Sequence, residues 1–369
     1  MGFGAMRFPT LDRDPGHIDE DQATQMVHYA LDHGVNYVDT AYGYHKGESE
    51  RFLGRVLHGP YRDRARLATK LPCWLVKERD DFDRLFDEQC ERLQRDRVDF
   101  YLLHALNGKT WPQMRDLGVL EWAERAKADG RIGSFGFSFH DEYPVFQEIV
   151  DAYSGWDFCQ IQYNYMDVEF QAGQRGLRYA ADRGLGVVIM EPLRGGVLAR
   201  PPEPVAQLFA RSTRGWSPAE WALHWLWRQP EVSLVLSGMS TLGQVRENVT
   251  SASESALGVL SSEDLTLVEQ ARETYHRLRP IPCTGCGYCL PCPSGVAIPQ
   301  ILELSNQAAM YADPAAPRFR YRMLPEAERA DQCTTCRACE ERCPQGIPIA
   351  EWLAKAHSLL VPPDAPGSG

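Results

Sequence analysis

The chain has 369 residues, of which 44% are hydrophobic, and these values predict one large domain with a sizeable core plus a smaller domain. The formal net charge of −11 argues against general binding to nucleic acid or to an anionic membrane surface. Because the sequence contains neither a membrane-length apolar run nor a recognisable secretion signal, we expect no membrane contact and a cytoplasmic location, where cysteine thiols stay reduced.

The first 255 residues alternate between short apolar runs and segments with helical periodicity. The apolar runs predict strands at 2–5, 36–39, 66–70, 98–104, 132–138, 158–163, 186–191 and 232–237. The helical pattern covers 21–33, 83–93, 120–128, 145–152, 171–183, 218–228 and 244–251. Eight strands interleaved with helices predict a (β/α)8 TIM barrel over residues 1–258. A doubly wound sheet is the alternative, although Gly2-Phe-Gly4 does not continue into the complete dinucleotide-binding fingerprint.

Four polar residues lie where these strands end. Asp39 ends the second strand, Tyr44 follows it in the loop, Lys70 ends the third strand and His104 ends the fourth. In a barrel all of them would meet at the C-terminal face, where active sites lie. An ammonium lowers the pKa of a nearby phenol, so Lys70, oriented by Asp39, would tune Tyr44 as a proton donor. His104 would donate to a substrate carbonyl, which is the arrangement that carbonyl reduction needs.

A different composition begins after this region. Residues 261–278 predict one helix, and further helices are expected at 299–309 and 350–359, with a Pro/Ala/Arg-rich linker up to about 325. We expect a small helical ferredoxin-like domain over residues 259–360. The last segment, 361–369, is rich in proline and glycine, and this predicts a disordered tail.

Two cysteine runs dominate this smaller domain, and each is followed by a predicted helix. Their spacing, with a proline after the last cysteine of each run, is that of bacterial ferredoxins. We therefore expect two 4Fe–4S clusters, in which the fourth cysteine of each run binds the cluster of the other run. One cluster is assigned to Cys283, Cys286, Cys289 and Cys343, and the other to Cys333, Cys336, Cys339 and Cys292. Zinc sites and disulfides are the alternatives, but neither suits this spacing or a reducing compartment.

The motifs of the first region resemble the aldo-keto reductase superfamily over about residues 2–255. They occur in the expected order and comprise Asp39-Thr-Ala-Tyr-Gly-Tyr44, Thr69-Lys70, Asp99-Phe-Tyr-Leu-Leu-His104, Gly133-Ser-Phe-Gly-Phe-Ser138, Gln160-Ile-Gln-Tyr-Asn164 and Glu191-Pro-Leu-Arg-Gly-Gly196. The whole chain is similar to the bacterial branch with a C-terminal 4Fe–4S ferredoxin-type domain. This resemblance implies a nicotinamide cofactor across the barrel mouth. It makes Tyr44 the general acid/base, Asp39 and Lys70 its tuning pair, and His104 the orienting donor.

The same resemblance supplies the cofactor contacts, with departures from the family pattern. Ser138 and Gln160 match the positions that bind the carboxamide, whereas Met190 aligns with the usual stacking aromatic, and Phe139 replaces a carboxamide-binding Asn. Gln244 aligns with an Arg that often binds the 2′-phosphate, and Glu247 and Asn248 are candidate adenine contacts. A 2′-phosphate favours Arg or Lys donors, and Arg246 is out of register with that position. The sequence therefore gives no preference for NADP over NAD.

A hydride carries two electrons, whereas a 4Fe–4S cluster normally exchanges one. Three arrangements reconcile them: a flavin that splits the electron pair, a substrate radical, or clusters that take no part in turnover. No flavin signature is recognised in the sequence. We expect an NAD(P)-linked oxidoreductase of a small carbonyl or alcohol substrate, with a ferredoxin-like protein as the electron partner. The alternative function is a non-catalytic electron-transfer or redox-sensing adaptor built on the same barrel.

Overall fold

The computed structural model describes residues 1–12, 14–283, 285, 287–310, 314–343 and 345–361. The chain divides into two compact units, Met1–Ala199 with Trp216–Leu265, and Arg200–Gly215 with Thr266–Gly369. The segment 200–215, which the sequence boundaries place with the barrel, thus groups with the second unit. The domain boundaries at 258/259 and 360/361 stay predictions, and all but the first residue of the predicted disordered tail lies outside the described residues.

The first unit is a closed barrel of eight parallel strands in sequential order, which confirms the predicted (β/α)8 fold over the doubly wound alternative. The strands are β1 Gly2–Gly4, β2 Tyr37–Asp39, β3 Arg66–Leu71, β4 Val98–Leu106, β5 Ile132–Phe139, β6 Phe158–Gln162, β7 Gly186–Met190 and β8 Leu234–Gly238. Strand β1 pairs with both β2 and β8, which closes the barrel. Every predicted strand is present, with ends that differ by at most a few residues.

The helices up to the end of the barrel are α1 Glu20–Asp32, α2 Glu48–Val56, α3 Asp81–Leu93, α4 Thr110–Asp116, α5 Val119–Ala128, α6 Tyr143–Asp151, α7 Gly173–Ala181, α8 Glu203–Phe209, α9 Pro218–Trp227, α10 Leu242–Ser253 and α11 Ser262–Leu278. Helix α8 belongs to the second unit, and the unit boundary at Leu265/Thr266 falls in the first turn of α11. The helical pattern did not predict α2, α4 or α8. Glycines flank α2 and lie within it, and they interrupt the helical pattern of its apolar residues Phe52, Leu53 and Val56.

The helices form where the sequence provides caps and an apolar stripe. In α1 one apolar stripe is buried, and it consists of Ala23, Met26, Val27, Ala30 and Leu31. Helix α9 begins with a capping box, in which the Ser217 side chain accepts from the Glu220 amide and the Glu220 side chain accepts from the Ser217 amide. Pro218 occupies the first helical position, which suits its fixed φ and missing amide proton.

Strand β4 contains an irregularity that bears directly on the barrel mouth. Its pairing with β5 shifts register between Leu103 and Leu106, and Ala105 has a left-handed backbone with φ of 56°. The Ser138 hydroxyl of β5 accepts a 2.8 Å hydrogen bond from the Ala105 amide and holds this bulge. Bulges of this kind turn a side chain out of the regular strand alternation, and here the side chain that precedes Ala105 is His104.

The second unit is helical. Besides α8 and most of α11 it contains α12 Ile298–Met310, α13 Ala315–Arg322, α14 Ala338–Glu341 and α15 Ile349–Leu360. The predicted linker up to about residue 325 is therefore wrong in part, because α13 forms there and buries Tyr321 in the core of this unit. No helix within the described ranges combines the length and the apolarity needed to cross a bilayer.

A buried asparagine fixes the chain just before the first cysteine run. The Asn306 side chain in α12 accepts from the Ile281 amide at 3.0 Å and donates to the Ile281 carbonyl at 2.9 Å. Arg279 binds the Cys283 carbonyl at 3.1 Å and Glu303 at 2.9 Å. These bonds satisfy the peptide groups of Ile281, which is fully buried, and tie the start of the cysteine run to α12.

Candidate active site and cysteine runs

Asp39 and Lys70 form a fully buried ion pair beneath the mouth of the barrel. The Lys70 ammonium donates to both Asp39 carboxylate oxygens at 2.7 Å and to the Thr40 carbonyl at 2.8 Å. Each side chain is 1% exposed. Burial alone lowers the pKa of Lys70, but the charges of Asp39 and Tyr44 more than reverse this, so that its pKa lies above the usual value. The site therefore has a charged ammonium whose three protons point at oxygen acceptors or toward the phenol.

Tyr44 lies in a constrained loop directly above this pair. Its ring centre is 5.1 Å from the Lys70 nitrogen. The three residues that follow, His45, Lys46 and Gly47, all have positive φ angles of 52°, 57° and 92°. His45 bonds to the Pro15 carbonyl at 2.8 Å and Lys46 to Asp14 at 2.7 Å, so the preceding β1–α1 loop supports this turn.

The pKa of Tyr44 differs from the expectation drawn from the sequence. Burial raises the pKa of the phenol, and this outweighs the charge of Lys70, which lowers it; Asp39 and Glu191 raise it further. The net direction is thus upward, not downward as predicted. Lys70 does lower the phenol pKa, but only against the larger desolvation effect, because Tyr44 and Lys70 share one low-dielectric site. In this structure Tyr44 is a protonated donor throughout the neutral range.

His104 completes the group from the bulge in β4. Its ring lies edge-on to Tyr44 with the ring centres 6.1 Å apart, and 5.0 Å from the ring of Trp74. Burial, followed by the charge of Lys70, lowers the pKa of His104 to about 3, so the imidazole is neutral at ordinary pH. Its Nδ1 atom is buried and has no hydrogen-bond partner among the described residues. A neutral imidazole donates from one nitrogen only, which suits it to orient a carbonyl oxygen without competing for the proton of Tyr44.

The structure thus brings the four predicted catalytic residues, Asp39, Tyr44, Lys70 and His104, to one end of the barrel. Trp74, in the loop after β3, is 54% exposed and flanks His104, whereas Trp111 of α4 is buried beside Trp156. The arrangement provides a phenol donor, a neutral imidazole and a fixed positive charge around one point. These are the groups that a carbonyl oxygen needs as it gains negative charge.

Three of the predicted cofactor residues lie at neighbouring strand ends. Ser138 of β5 pairs in register with Gln160 of β6, and Met190 ends β7. The Gln160 amide nitrogen is 3.6 Å from the Met190 sulfur, and its oxygen is buried without a partner in the described part of the chain. An unpaired buried amide oxygen requires a donor, and a carboxamide NH₂ would supply one. The residues present therefore fit a nicotinamide head group. His140, which follows Phe139, has its ring nitrogen Nδ1 3.5 Å from the Gln171 side-chain nitrogen.

The other three predicted cofactor residues lie on α10 and differ in orientation. The Gln244 side chain accepts from the Ser240 amide at 2.8 Å, and Glu247 accepts from the Ser217 hydroxyl. Asn248 is only 3% exposed and donates to Ser237 of β8 at 3.0 Å. Gln244 and Glu247 are the exposed members of this set. The Arg246 guanidinium lies over the Tyr29 ring of α1, in line with its expected placement on a different face of the helix.

A charged pair at the mouth was missed at the sequence level. Arg7, three residues after β1, lies 3.6 Å from Glu191, which follows β7 and has a positive φ of 56°. The Arg7 side chain also covers Gly238 at the end of β8, where a Cβ atom would be 3.3 Å from the arginine carbons. Arg7 follows the end of β1 by three residues and Glu191 directly follows β7, and these positions were the available signal for the pair.

Six of the described cysteines of the second unit lie in or against one apolar core. Cys283, Cys289, Cys292, Cys333 and Cys343 are partly buried against it, Cys339 is buried and Cys336 is exposed. Burial raises the pKa of Cys339, and the nearby thiols of Cys333 and Cys292 raise it further. These three cysteines were assigned to one cluster although Cys292 belongs to the other run. Cys286 lies outside the described residues.

Five described cysteines of the second unit have free thiols. Among the residues that the structure describes, no three His, Cys, Asp or Glu side chains converge on one ion position. A cubane cluster keeps its four thiolates apart, because the iron and sulfide atoms lie between them. Cys292, Cys333, Cys336, Cys339 and Cys343 form no disulfide that would compete with cluster binding.

Comparisons with known proteins agree with this architecture. The aldo/keto reductase family profile matches residues 1–273, and the 4Fe-4S dicluster domain profile matches residues 282–347. The L-galactose dehydrogenase of Arabidopsis thaliana is 27% identical, over 75% of this chain and 92% of its own length. The NADH-specific methylglyoxal reductase of Escherichia coli K12 is 26% identical, over 75% of this chain and 95% of its own length.

Solved structures show the same barrel. An aldo-keto reductase from Klebsiella pneumoniae in complex with NADPH has a TM-score of 0.60 at 22% identity, covering 73% of this chain and 89% of the other. An aldo-keto reductase from Bacillus halodurans in its holo form has a TM-score of 0.60 at 24% identity, covering 73% and 91%. With the family profile spanning the whole barrel, the chain belongs to the aldo/keto reductase family and carries a C-terminal 4Fe-4S dicluster domain.

Proposed function

We propose that the protein is an NAD(P)-linked oxidoreductase that interconverts a small carbonyl compound and its alcohol, with Tyr44 as the general acid/base. The observation that carries this proposal is the buried Asp39–Lys70 pair beneath a protonated Tyr44, with the neutral His104 ring 6.1 Å from the phenol ring. Two relatives of the chain carry names of dehydrogenase and reductase activities on such compounds. These names support the substrate class but select no individual substrate.

In the reducing direction the carbonyl oxygen accepts hydrogen bonds from the Tyr44 hydroxyl and from His104. When bound, the nicotinamide supplies a hydride to the carbonyl carbon. The developing alkoxide takes the proton of Tyr44, and the resulting phenolate faces the Lys70 ammonium, which stabilises it. Asp39 keeps Lys70 charged and in place. The balance is one carbonyl, one hydride and one proton for one alcohol, and the oxidising direction reverses each transfer.

Ser138, Gln160 and Met190 would hold the nicotinamide head group, and Gln244, Glu247 and Asn248 would lie toward the adenosine end. Asn248 is buried, so it would act through the shape of α10 and Ser237 more than through direct contact. The relatives and solved structures include one described as NADH-specific and others with NADPH or NADP. Both cofactors therefore belong to the proposal, since α10 places no Arg in register to select the 2′-phosphate.

For the second unit we propose two 4Fe–4S clusters, one on Cys283, Cys286, Cys289 and Cys343 and the other on Cys333, Cys336, Cys339 and Cys292. Cysteines of both runs, Cys283, Cys289 and Cys292 with Cys333 and Cys343, pack against one apolar core, which supports the exchange of the fourth cysteine between the runs. The clusters would pass single electrons to a ferredoxin-like partner. Thiol ligands of this kind persist in a reducing compartment, so the proposal includes a cytoplasmic location.

The test of the catalytic assignment is Tyr44→Phe in anaerobically purified protein. We expect NADH- or NADPH-dependent reduction of small aldehydes such as methylglyoxal to fall at least about 100-fold, because the proton donor is lost. Quenching of tryptophan fluorescence by the nicotinamide should be unchanged. Tyr61→Phe, which removes an exposed hydroxyl bonded to Asp32, is the matched control. An active wild type with an equally active Tyr44→Phe variant would show that the assignment is wrong.

The test of the clusters is separate. Anaerobic titration with NADH or NADPH, followed by visible bleaching and electron paramagnetic resonance, reports whether electrons reach them. Iron and sulfide analysis should give about eight of each per chain if two 4Fe–4S clusters are present. Clusters that stay oxidised in the presence of nicotinamide, substrate and added flavin would contradict a role in electron transfer.

A further inference from the structure

A buried polar network lies behind the loop that carries Tyr44, and its centre is Glu50 in the first turn of α2. Glu50 is fully buried. One carboxylate oxygen accepts from the Thr69 hydroxyl at 2.6 Å and from the Gln89 amide at 2.7 Å. The other accepts from Arg92 at 3.2 Å. A carboxylate is retained in such a place only if its bonds compensate for the loss of water.

Arg92 of α3 is the cation of this network, and it touches both ends of the Tyr44 loop. Its guanidinium donates to the Tyr42 carbonyl at 3.2 Å and stacks on the Tyr42 ring, with 4.0 Å from the guanidinium carbon to the ring centre. A Cβ atom at Gly47 would lie 3.6 Å from the same guanidinium. Arg92 also binds Glu88 at 2.5 Å, and Glu88 accepts from the Tyr42 hydroxyl at 3.2 Å. Arg92 therefore bonds to the residue two before Tyr44 and lies beside the residue three after it.

Gln89 extends the network to the other side of the catalytic group. Its amide donates to the Thr69 hydroxyl and to the Lys70 carbonyl, both at 3.0 Å, and its oxygen accepts from Tyr101 at 2.8 Å. Glu50 thus connects the support of the Tyr44 loop to the backbone of Lys70. The loop that carries the Tyr44 phenol and the strand end that carries the Lys70 ammonium are therefore supported by the same buried carboxylate.

We infer that Glu50 and Arg92 are positioning residues that hold Tyr44 at a fixed distance from Lys70 and the substrate carbonyl, a role that rests on the proposed function of Tyr44. Neither residue lies at the reacting atoms. A displacement of about 1 Å of a catalytic group lowers the rate by as much as about 100-fold. Loss of Arg92 should therefore lower kcat with little change in KM, since the cofactor and substrate contacts remain.

A matched control is available at Arg131, which binds carboxylates of the helix that carries Arg92, α3. Arg131 also bridges two carboxylates of α3, Asp83 at 2.5 Å and Asp87 at 2.9 Å, and stacks on an aromatic ring, that of Phe86 at 4.7 Å. It directly precedes β5 and so lies at the opposite end of the barrel from Tyr44. Arg131→Met removes a comparable bridge and should lower stability while leaving kcat and the exchange of the Tyr44 loop unchanged.

The experiment compares wild type, Arg92→Met, Glu50→Gln and Arg131→Met as full-length protein purified anaerobically. Hydrogen–deuterium exchange of the segment 40–47 should be about tenfold faster in Arg92→Met, because one charge-assisted bond to its backbone is lost. The kcat for aldehyde reduction should fall about 10- to 100-fold, with KM within about twofold of wild type. Glu50→Gln retains the acceptor for Thr69, so its exchange rate and its kcat should lie between those of wild type and Arg92→Met. The pH at which kcat falls on the alkaline side should also shift in Arg92→Met, which loss of stability alone would not produce.

Unchanged exchange at 40–47 in Arg92→Met would overturn the inference, and so would an unchanged kcat and pH profile with an active wild type. Equal effects of Arg92→Met and Arg131→Met on kcat would also overturn it, by showing general loss of stability. If the wild type reduces no carbonyl with either nicotinamide while exchange responds as expected, the positioning of the loop is supported and the proposed function of Tyr44 is contradicted.

Discussion

The ion pair of Asp39 and Lys70 allows a sharp prediction for Lys70→Met. Both Asp39 oxygens bind the Lys70 nitrogen at 2.7 Å, and the carboxylate is 1% exposed, so no water can replace the lost partner without opening the barrel mouth. Breaking a buried pair by removing one member costs about 3–5 kcal/mol. That is a large part of the roughly 5–15 kcal/mol that stabilises a typical domain.

The cost should depend on pH, and its sign follows from burial. Burial already raises the pKa of Asp39, with Lys70 opposing this effect, so the variant carboxyl will have a still higher pKa in the folded state. A group with a raised folded-state pKa stabilises the fold below its unfolded pKa and loses that contribution as the pH rises through the folded value. The destabilisation in Lys70→Met should therefore be larger at pH 8 than at pH 5.

Urea unfolding followed by tryptophan fluorescence is the assay, since Trp352 alone among the nine tryptophans lies outside the first unit. Asp39→Leu/Lys70→Met is the comparison, because an apolar pair of similar volume avoids the unpaired charge and should recover at least about 2 kcal/mol relative to Lys70→Met. A loss below about 1 kcal/mol in Lys70→Met at pH 8, or a double variant no more stable than the single one, would refute this reasoning.

Three further predictions follow from the geometry. With the pKa of His104 at about 3 and that of Tyr44 raised, the rate of aldehyde reduction should stay level from pH 5 to pH 9, measured as kcat/KM; a fall below pH 7 attributable to His104 would contradict the neutral imidazole. Gly54→Ala would place a Cβ atom 2.4 Å from the Arg92 carbonyl and should cost about 1–3 kcal/mol of unfolding free energy, whereas Gly43→Ala, with open space around it, should change this by less than about 0.5 kcal/mol. Asn306→Ala leaves both Ile281 peptide groups unpaired and should lower the free energy of unfolding by about 1–3 kcal/mol. It should also hasten the loss of visible cluster absorbance in urea. An unchanged rate of bleaching would show that these two hydrogen bonds do not support the first cysteine run.

The barrel and the composition of its mouth could be predicted from the sequence because each signal is local. An apolar run that ends in Asp39, Lys70 or His104 predicts both the strand and the position of the polar side chain, because the C-terminal ends of parallel barrel strands all lie at one face. The order of the motifs added proposed roles for Tyr44 and Gln160, which stay predictions. The cysteine spacing likewise predicts local geometry, because two intervening residues bring two thiols to one side of a turn.

What could not be predicted depends on pairs of residues far apart in the chain. Arg92 meets Tyr42 across 50 residues and Glu50 across 42, and neither partner has a spacing that marks it. The predicted direction of the Tyr44 pKa shift was wrong for a related reason. The charge of Lys70 can be read from the sequence, but the larger effect of burial cannot. The bulge at Ala105 was also hidden, since a single additional residue leaves the apolar pattern of β4 almost unchanged.

The left-handed run after Tyr44 has a thermodynamic consequence. A non-glycine residue held at positive φ costs on the order of 1–3 kcal/mol, and both His45 and Lys46 are held there. Because folding already meets this cost, the phenol is preorganised, and substrate binding spends little further free energy on ordering it. Glycine at position 46 would relieve the backbone and favour the folded chain, yet it would release the turn that fixes the tyrosine. At this loop, greater stability and faster chemistry call for opposite substitutions.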